Sequence, residues 1–276
     1  MTKVNYAIIA LAIVVIIVAI KGYQFYQSIS PNPIEHWQAS NEQNKQSIDH
    51  HLWEVFLAKH LHENVSKGIY QFDYDKVTAL DKKNLSQYLE HLQGIDPRVY
   101  RKNVQLAYWA NLYNALTIDI VLKHYPIESI KDIGNGITGP WNMKLIDIAG
   151  QSLTLNEIEH GILRALWQDN RIHYVINCAS VGCPDLPKYA LVGKNIEQQL
   201  EQAAKRFINQ TKGVEFVGDK LIISSIYNWF KKDFANNDSE LLSHLSQYAN
   251  AELKTQLMSY QGDIDYQYNW ELNGIN

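Results

Sequence analysis

The sequence predicts a helix-rich α+β domain with a few short strands, preceded by one N-terminal transmembrane helix. Apolar residues recur at helical spacing along much of the chain, whereas strand-like runs are few and short. Among the 276 residues, 46% are hydrophobic and 20% are charged, which is ordinary for a globular protein. The net charge of −4 and the absence of basic runs longer than two residues argue against binding to nucleic acid.

The N-terminus carries the signal for the transmembrane helix. Residues 4–20 are apolar apart from Asn5 and are flanked by Lys3 and Lys21. A helix of this length spans roughly 25 Å, close to the ~30 Å hydrocarbon core of a bilayer. No Ala-x-Ala-like site follows the run, which favours an uncleaved anchor over a signal peptide. We therefore expect residues 1–27 to be a single-pass anchor that displays the domain on the outer face of a bacterial inner membrane, in the periplasm.

The first half of the remaining chain has mainly helical patterning. Residues 28–33 (SISPNP) form a predicted linker, and residues 34–276 contain no further linker or repeat, so they are assigned to one domain. Helical spacing is present in three stretches, at 34–64, 84–92 and 100–124. Pro126 is expected to end the third of these helices.

The second half mixes helices with hairpins. Thr154 and Glu157 have the spacing of a capping box, so a helix is expected to follow, with Ile158 and Ile162 on its buried stripe. A buried strand is predicted at 172–176 because that run is apolar and β-branched. Hairpins are predicted around the turns at 149–151 and 218–219, and helices at 195–209, 225–235 and 239–260.

Cys178 is the first candidate for chemistry. It stands at the end of the predicted strand and enters an Ala-Ser-x-Gly turn. Backbone N–H groups of such a turn can lower the pKa of a thiol and receive an oxyanion. The competing interpretation is a buried, inert thiol. A disulfide with Cys183 is also possible in an oxidising compartment, and it would cancel the nucleophile.

A histidine is expected to complete the thiol site. Glu157, His160 and Arg164 fall on one helical stripe, roughly opposite the buried stripe. The alternatives are a solvated surface residue for His160 and Arg164, and a hydrogen-bonded core histidine for His173. If the strand is regular, His173 and Cys178 point to opposite faces, so His160 is the preferred base and His173 the second choice. Glu157 could orient the imidazole ring, but it could instead serve only as the acceptor of the capping box.

Several amides are candidates for a binding cleft. Asn111 and Asn114 lie three residues apart on a strongly apolar helix, and buried amides require hydrogen-bond partners. They either form a structural network or line a cleft beside the cysteine loop. Asn177 and Arg164 are assigned to the same cleft.

A metal site is a further alternative. Glu157 and His160 share a helical face, and His173 or Cys178 could supply a third ligand. The chain has neither a CxxC nor an HExxH pattern, so we expect no metal and no cofactor.

Four segments carry a family resemblance: 100–118 (YRKNVQLAYWANLYNALTI), 152–164 (SLTLNEIEHGILR), 171–186 (RIHYVINCASVGCPDL) and 268–273 (YNWELN). The chain resembles the domain of unknown function 547 family (DUF547), most strongly over residues 95–235. The resemblance implies the domain boundaries and marks the motif residues, without supplying a reaction. Residues of a thiol-peptidase type are present, but the order of histidine before cysteine differs from that of papain-like and transglutaminase-like enzymes.

Three functions follow from these observations. The first is a membrane-anchored thiol hydrolase or acyl transferase that acts on a peptide, amide or other small-molecule substrate in the cell envelope. The second is a non-catalytic binding or scaffold module. The third is a metal-dependent hydrolase.

Overall fold

The computed structural model describes residues 30–134 and 139–275, which form a helix-rich α+β fold with short sheets, as the sequence predicts. The proposed membrane helix at 4–20 lies outside these residues. In the described ranges, no helix combines the length and apolarity needed to cross a bilayer.

The first part of the chain is less helical than its spacing suggests. A short 3₁₀-helix at Glu35–Trp37 is followed by irregular backbone up to helix α1 (His51–His60). Strand β1 (Leu61–Asn64) then pairs antiparallel with β2 (Ile69–Phe72). The prediction of helix throughout 34–64 is therefore wrong.

The physical reason is local side-chain hydrogen bonding. Asn41, Asn44 and Asp49 each accept a hydrogen bond from the backbone N–H two residues further along the chain. Asx turns of this kind compete with helix formation, so α1 begins only after the last of them.

Helix α3 is the centre of the fold. Helix α2 (Ala79–Gln93) packs against it, and α3 itself runs over Lys102–His124, ending two residues before Pro126 as predicted. Residues on all sides of α3 are buried, from Val104 to Leu122. A helix buried all round carries no solvated face, so its polar side chains must find partners inside the protein.

Both predicted hairpins are confirmed. Strands β3 (Ile146–Ile148) and β4 (Gln151–Leu153) are joined by Ala149 and Gly150, which both have positive φ, at 44° and 79°. Such a turn matches the twist of the strands that it connects. In the other hairpin, Gly218 and Asp219 connect β5 (Val214–Val217) to β6 (Lys220–Ser224), and β7 (Ile264–Gln267) extends that sheet parallel to β6.

The helix after β4 starts where the capping box places it, but its hydrogen bonding is unusual. Thr154 Oγ1 accepts from the N–H of Glu157 at 3.0 Å, and Glu157 Oε2 accepts from the N–H of Thr154 at 2.8 Å. The segment Glu157–Leu163 is a π-helix, which continues as α4 (Arg164–Trp167). Insertions of π-helix are rare and occur frequently at functional sites.

The predicted strand at 172–176 is wrong. This segment begins as a 3₁₀-helix, Asn170–Tyr174, and Asp169 caps it by accepting from the N–H of Arg171. The apolar side chains are buried as expected, but no neighbouring strand pairs with the backbone in the described part of the fold. The β-branched run therefore reports burial rather than strand pairing.

Five further helices complete the fold: α5 (Ile196–Ile208), α6 (Ile226–Trp229), α7 (Lys231–Phe234), α8 (Asp238–Tyr248) and α9 (Ala251–Ser259). The predicted helix at 239–260 is interrupted, because the side chain of Asn250 caps a new helix by accepting from the N–H of Leu253. Residues of α5, β5, β6 and α8 form a second apolar cluster beside the core around α3.

The capping box gives the first testable prediction. Thr154→Ala removes the N-cap acceptor and should lower the free energy of unfolding by about 0.5–2 kcal/mol with the fold retained. Urea unfolding followed by circular dichroism measures this change. Thr255→Ala is the matched control, because Thr255 is exposed inside α9 and bonds only the carbonyl of Ala251. Equal stability of the Thr154→Ala variant and the wild type would contradict the capping role.

Candidate functional site

The loop that carries Cys178 is fixed by the C-terminal end of the chain. Residues 179–182 lie antiparallel to residues 269–273, with an isolated bridge between Ser180 and Leu272. Three backbone hydrogen bonds join the segments: Val181 N–H to Glu271 O at 2.8 Å, Gly182 N–H to Asn269 O at 2.8 Å and Asn273 N–H to Ala179 O at 3.0 Å.

Gly182 permits this close approach. A Cβ atom at this position would lie 2.7 Å from the backbone nitrogen of Asn269, which is too close for any side chain. The backbone contact brings Tyr268, the residue before Asn269, over the cysteine loop.

Cys178 is a partly exposed residue, and its thiol is surrounded by hydrogen-bond donors. Its Sγ atom lies 2.9 Å from Ser180 Oγ and 3.0 Å from the hydroxyl of Tyr268, and these two hydroxyls are 2.9 Å apart. The backbone N–H of Ser180 also points at Sγ. Ala179, with a φ of 60°, adopts the left-handed conformation that turns this N–H toward the sulfur.

These donors decide the protonation of the thiol. Burial raises the pKa of Cys178, but hydrogen bonds from Cys183, Ser180 and Tyr268 outweigh burial and lower the pKa to about 7. Burial and the neighbouring Cys178 raise the pKa of the Cys183 thiol well above its ordinary value. The site therefore favours a thiolate on Cys178 beside a protonated Cys183.

Asn111 and Asn114 hold the backbone on either side of the cysteine. The amide of Asn114 donates to the carbonyl of Val175 and accepts from the N–H of Asn177, both at 2.8 Å. The amide of Asn111 bonds both backbone groups of Leu191 in the same way. Both side chains are buried, so the structure places them in a structural network rather than on an open cleft.

Asn177 continues this network. Its Nδ2 donates to the carbonyl of Pro184 at 2.7 Å, and its Oδ1 accepts from the N–H of Ala179 at 2.8 Å. The turn that follows Cys178 is thus fixed from inside by one buried amide.

Both candidate histidines belong to a different cluster, centred on the ion pair between Arg164 and Asp233. The guanidinium contacts the carboxylate through Nε at 2.6 Å and Nη2 at 3.1 Å. Arg164 Nη1 lies 2.8 Å from Nδ1 of His160, and His173 Nε2 lies 2.7 Å from Asp233 Oδ2. Phe230 covers the cluster, with its ring stacked 4.5 Å from that of His173.

The electrostatics of this cluster keep both histidines neutral. Burial and the charge of Arg164 lower the pKa of His160 well below its ordinary value. Burial also lowers the pKa of His173, although Asp233 opposes the shift. Burial acts to raise the pKa of Asp233, but hydrogen bonds from His173 and Arg164 hold it far below the usual range. The permanent charges are therefore those of Arg164 and Asp233.

Tyr113 lies between the two clusters. Its hydroxyl donates to Glu159 Oε2 at 2.9 Å. Burial raises the pKa of Tyr113 well above 10, and the nearby charges of Glu159 and Cys178 raise it further. Burial also raises the pKa of Glu159 to about 7, against the opposing charge of Arg164. The thiol loop and the buried ion pair thus share one tyrosine at their boundary.

The expected pairing of cysteine with histidine is absent from the described residues: neither His160 nor His173 hydrogen-bonds to Cys178. Glu157 is also elsewhere, on the surface, where it caps its helix and contacts Lys144 Nζ at 2.6 Å. The carboxylate of Glu157 is therefore engaged away from the histidine rings.

The alternative interpretation of His160 and Arg164 as solvated surface residues is wrong, because both are buried. The π-helix changes the angular spacing of these side chains, and Asp233 of α7 then covers Arg164. The local pattern could not indicate this contact, because Asp233 is distant in sequence.

The structure adds residues that the pattern did not single out: Ser180 and Tyr268 at the thiol, and Asp233 at the histidines. Tyr268 belongs to the YNWELN motif, so the motif was a sequence signal that could have pointed to this residue. Among the residues that the structure describes, no three His, Cys, Asp or Glu side chains are grouped as metal ligands.

A separate cavity of about 290 Å³ lies between α5 and the loop after the cysteines. Tyr70, Tyr189 and Arg206 are among its lining residues, and Cys178 is not. Arg206 stacks over the ring of Tyr70 at 3.8 Å and pairs with Asp185, so its charge is already neutralised.

Comparison with known proteins identifies one domain. Residues 97–208 match the family model described as "Protein of unknown function, DUF547", so the chain contains a DUF547 domain. No curated protein and no solved structure matches the chain significantly. The matched segment includes Cys178, Cys183 and His160, whereas Asp233 and Tyr268 lie beyond its end.

The buried carboxyl of Glu159 gives a pH-dependent prediction. Its pKa is raised from 4.5 to about 7 on folding, so the folded state holds the proton more tightly than the unfolded state. This stabilisation is complete below pH 4.5 and is lost as the pH rises through 7.

Glu159→Gln keeps an acceptor for Tyr113 without the titration. Relative to this variant, the wild type should lose on the order of 3 kcal/mol of unfolding free energy between pH 4.5 and pH 8. Urea unfolding of both proteins across this range measures the difference. A difference that does not change with pH would contradict the raised pKa.

Proposed function

We propose that this protein is a thiol-dependent acyl transferase or hydrolase, in which Cys178 attacks the carbonyl carbon of a peptide or amide substrate. One observation carries the proposal: Cys178 is a partly exposed residue whose Sγ is held by the hydroxyls of Ser180 and Tyr268 and by a backbone N–H. Donors arranged in this way stabilise a thiolate, which is the reactive form of cysteine, without requiring an imidazolium.

The proposed step begins with attack of the Cys178 thiolate on the carbonyl carbon. The resulting tetrahedral intermediate collapses by breaking the C–N bond, and the Tyr268 hydroxyl, 3.0 Å from Sγ, donates its proton to the leaving amine. Burial and the charge of Cys178 raise the pKa of Tyr268, so the hydroxyl is protonated when attack begins. The Tyr268 oxyanion then takes a proton from a water or an amine, whose oxygen or nitrogen bonds the acyl carbon. The C–S bond breaks, and Cys178 leaves as the thiolate.

In this proposal the histidines have a structural role. Both are neutral and engaged by Arg164 or Asp233, so neither is assigned as the base. Their cluster supports the π-helix that holds Glu159 against Tyr113, next to the thiol loop.

A substrate would approach over aromatic side chains. Trp229, Tyr268 and Trp270 are partly exposed and in mutual contact, with ring centroids 4.6–5.6 Å apart. Because the Tyr268 hydroxyl touches Cys178, this surface ends at the thiol. It suits an acyl or peptide group with an apolar face.

The location follows from the N-terminal sequence. The apolar run at 4–20 supports a single-pass membrane anchor with the domain on the periplasmic side. In that arrangement, substrates are peptides or amides of the cell envelope.

The thiolate is tested by alkylation across pH. Wild-type Cys178 should react with iodoacetamide with a midpoint near pH 7, because its pKa is lowered to about 7. Tyr268→Phe removes one donor and should move the midpoint upward, so that labelling at pH 6 slows severalfold. Mass spectrometry of the labelled peptide measures the rate at Cys178 alone.

Tyr266→Phe is the matched control, since Tyr266 stands two residues earlier on the same segment and does not touch Cys178. It should label at the wild-type midpoint, and so should His160→Gln. If Cys178 labels only near the ordinary thiol pKa of ~8.5, the nucleophile assignment fails. The aromatic surface would then favour a binding module instead.

The anchor is tested by truncation. Full-length protein expressed in bacteria should sediment with the membranes and require detergent for extraction. Deletion of residues 1–27 should give a soluble, monodisperse domain, because the removed run has no amphipathic face to pack on the fold. Aggregation of the truncated protein, or loss of cooperative melting, would mean that the segment belongs to the core.

A further inference from the structure

The two cysteines of the chain face each other across one loop. The backbone N–H of Cys178 donates to Cys183 Sγ at 2.9 Å, so the second thiol lies directly beside the first cysteine. Both are reduced in this structure. No other cysteine occurs in the sequence, so any intrachain disulfide must join these two.

The two thiols are unequal in the way that an exchange reaction needs. Cys178 is partly exposed and receives hydroxyl donors, whereas Cys183 is buried, with 6% of its surface exposed. An external disulfide can therefore reach only Cys178. Cys183 is placed behind it, where it can attack a sulfur that is bound to Cys178.

We infer that Cys178 and Cys183 form a redox pair that reduces solvent-exposed disulfides by thiol–disulfide exchange. The inference rests on the proposed function for its nucleophile, Cys178, and adds a second substrate class and a role for Cys183. Acyl transfer gives Cys183 no step, whereas exchange requires a second thiol within reach of the first.

The exchange takes place in two steps. The Cys178 thiolate attacks one sulfur of the substrate disulfide, forms a mixed disulfide and releases one thiolate. Cys183 then attacks Cys178 Sγ, its proton passes to the second substrate sulfur, and that half leaves as a thiol. The substrate disulfide gains two electrons, and the protein loses two as the Cys178–Cys183 disulfide forms.

The loop is built to admit this second step. Asn177 fixes the backbone immediately after each cysteine, at Ala179 and at Pro184, and Gly182 is held against Asn269. Since Cys183 Sγ also accepts from the N–H of Cys178, the two cysteines are already held next to each other in the reduced protein.

The test uses the full-length protein in detergent and the chromogenic disulfide 5,5′-dithiobis(2-nitrobenzoate). In the wild type, each molecule of reagent consumed should release both of its thionitrobenzoate halves, leaving protein that carries no adduct. Cys183→Ser should release only one half and retain the other as a stable mixed disulfide on Cys178. Absorbance at the thionitrobenzoate band and intact-protein mass spectrometry report the two outcomes.

Cys183→Ala is the second variant, in case a buried hydroxyl perturbs folding, and Cys178→Ser should release neither half. A wild type that keeps its mixed disulfide as long as Cys183→Ala does would overturn the inference.

The alkylation midpoint of Cys178 is measured in parallel. A midpoint near pH 7 with no resolution by Cys183 refutes the exchange reaction alone, whereas an ordinary thiol midpoint refutes the proposed function as well.

Discussion

The candidate site depends on the backbone pairing between the cysteine loop and the last residues of the chain. Asn273 bonds Ala179 on one side and, through its carbonyl, the N–H of Phe72 on the other, at 2.9 Å. Three regions that are far apart in sequence are thus joined by backbone hydrogen bonds, and the side chain of Asn273 adds bonds to Tyr74 and Asn177. Since buried peptide groups must be paired, the loop and the terminal segment hold each other in place, and Tyr268 reaches Cys178 as a result.

The two clusters near Tyr113 differ in whether their charges depend on pH. Around Arg164 and Asp233 the charges are permanent, with Arg164 buried and Asp233 partly exposed. Around Cys178 the donors are neutral hydroxyl, thiol and amide groups, so the charge on sulfur depends on pH. The ion pair thus places a fixed charge beside the π-helix, whereas the charge of the Cys178 thiol changes near neutral pH.

Local pattern was sufficient where the determining contacts are local. The capping box of Thr154, the two hairpins and the termination of α3 before Pro126 all follow from residues within a few positions of one another. The run at 172–176 was misassigned because apolar β-branched residues indicate burial but not a pairing partner. Asp233 and Tyr268 could not be placed for the same reason, since their contacts join distant segments.

The matched DUF547 segment contains only part of the environment of the Cys178 thiol. Residues 97–208 contain both cysteines, Ser180 and the asparagines that bond the loop. Tyr268 is contributed from beyond it and supplies both a hydrogen bond to the thiol and the start of the aromatic surface. The environment of the Cys178 thiol therefore draws on both parts of the chain, with Cys183 and Ser180 from the matched segment and Tyr268 from the C-terminal segment.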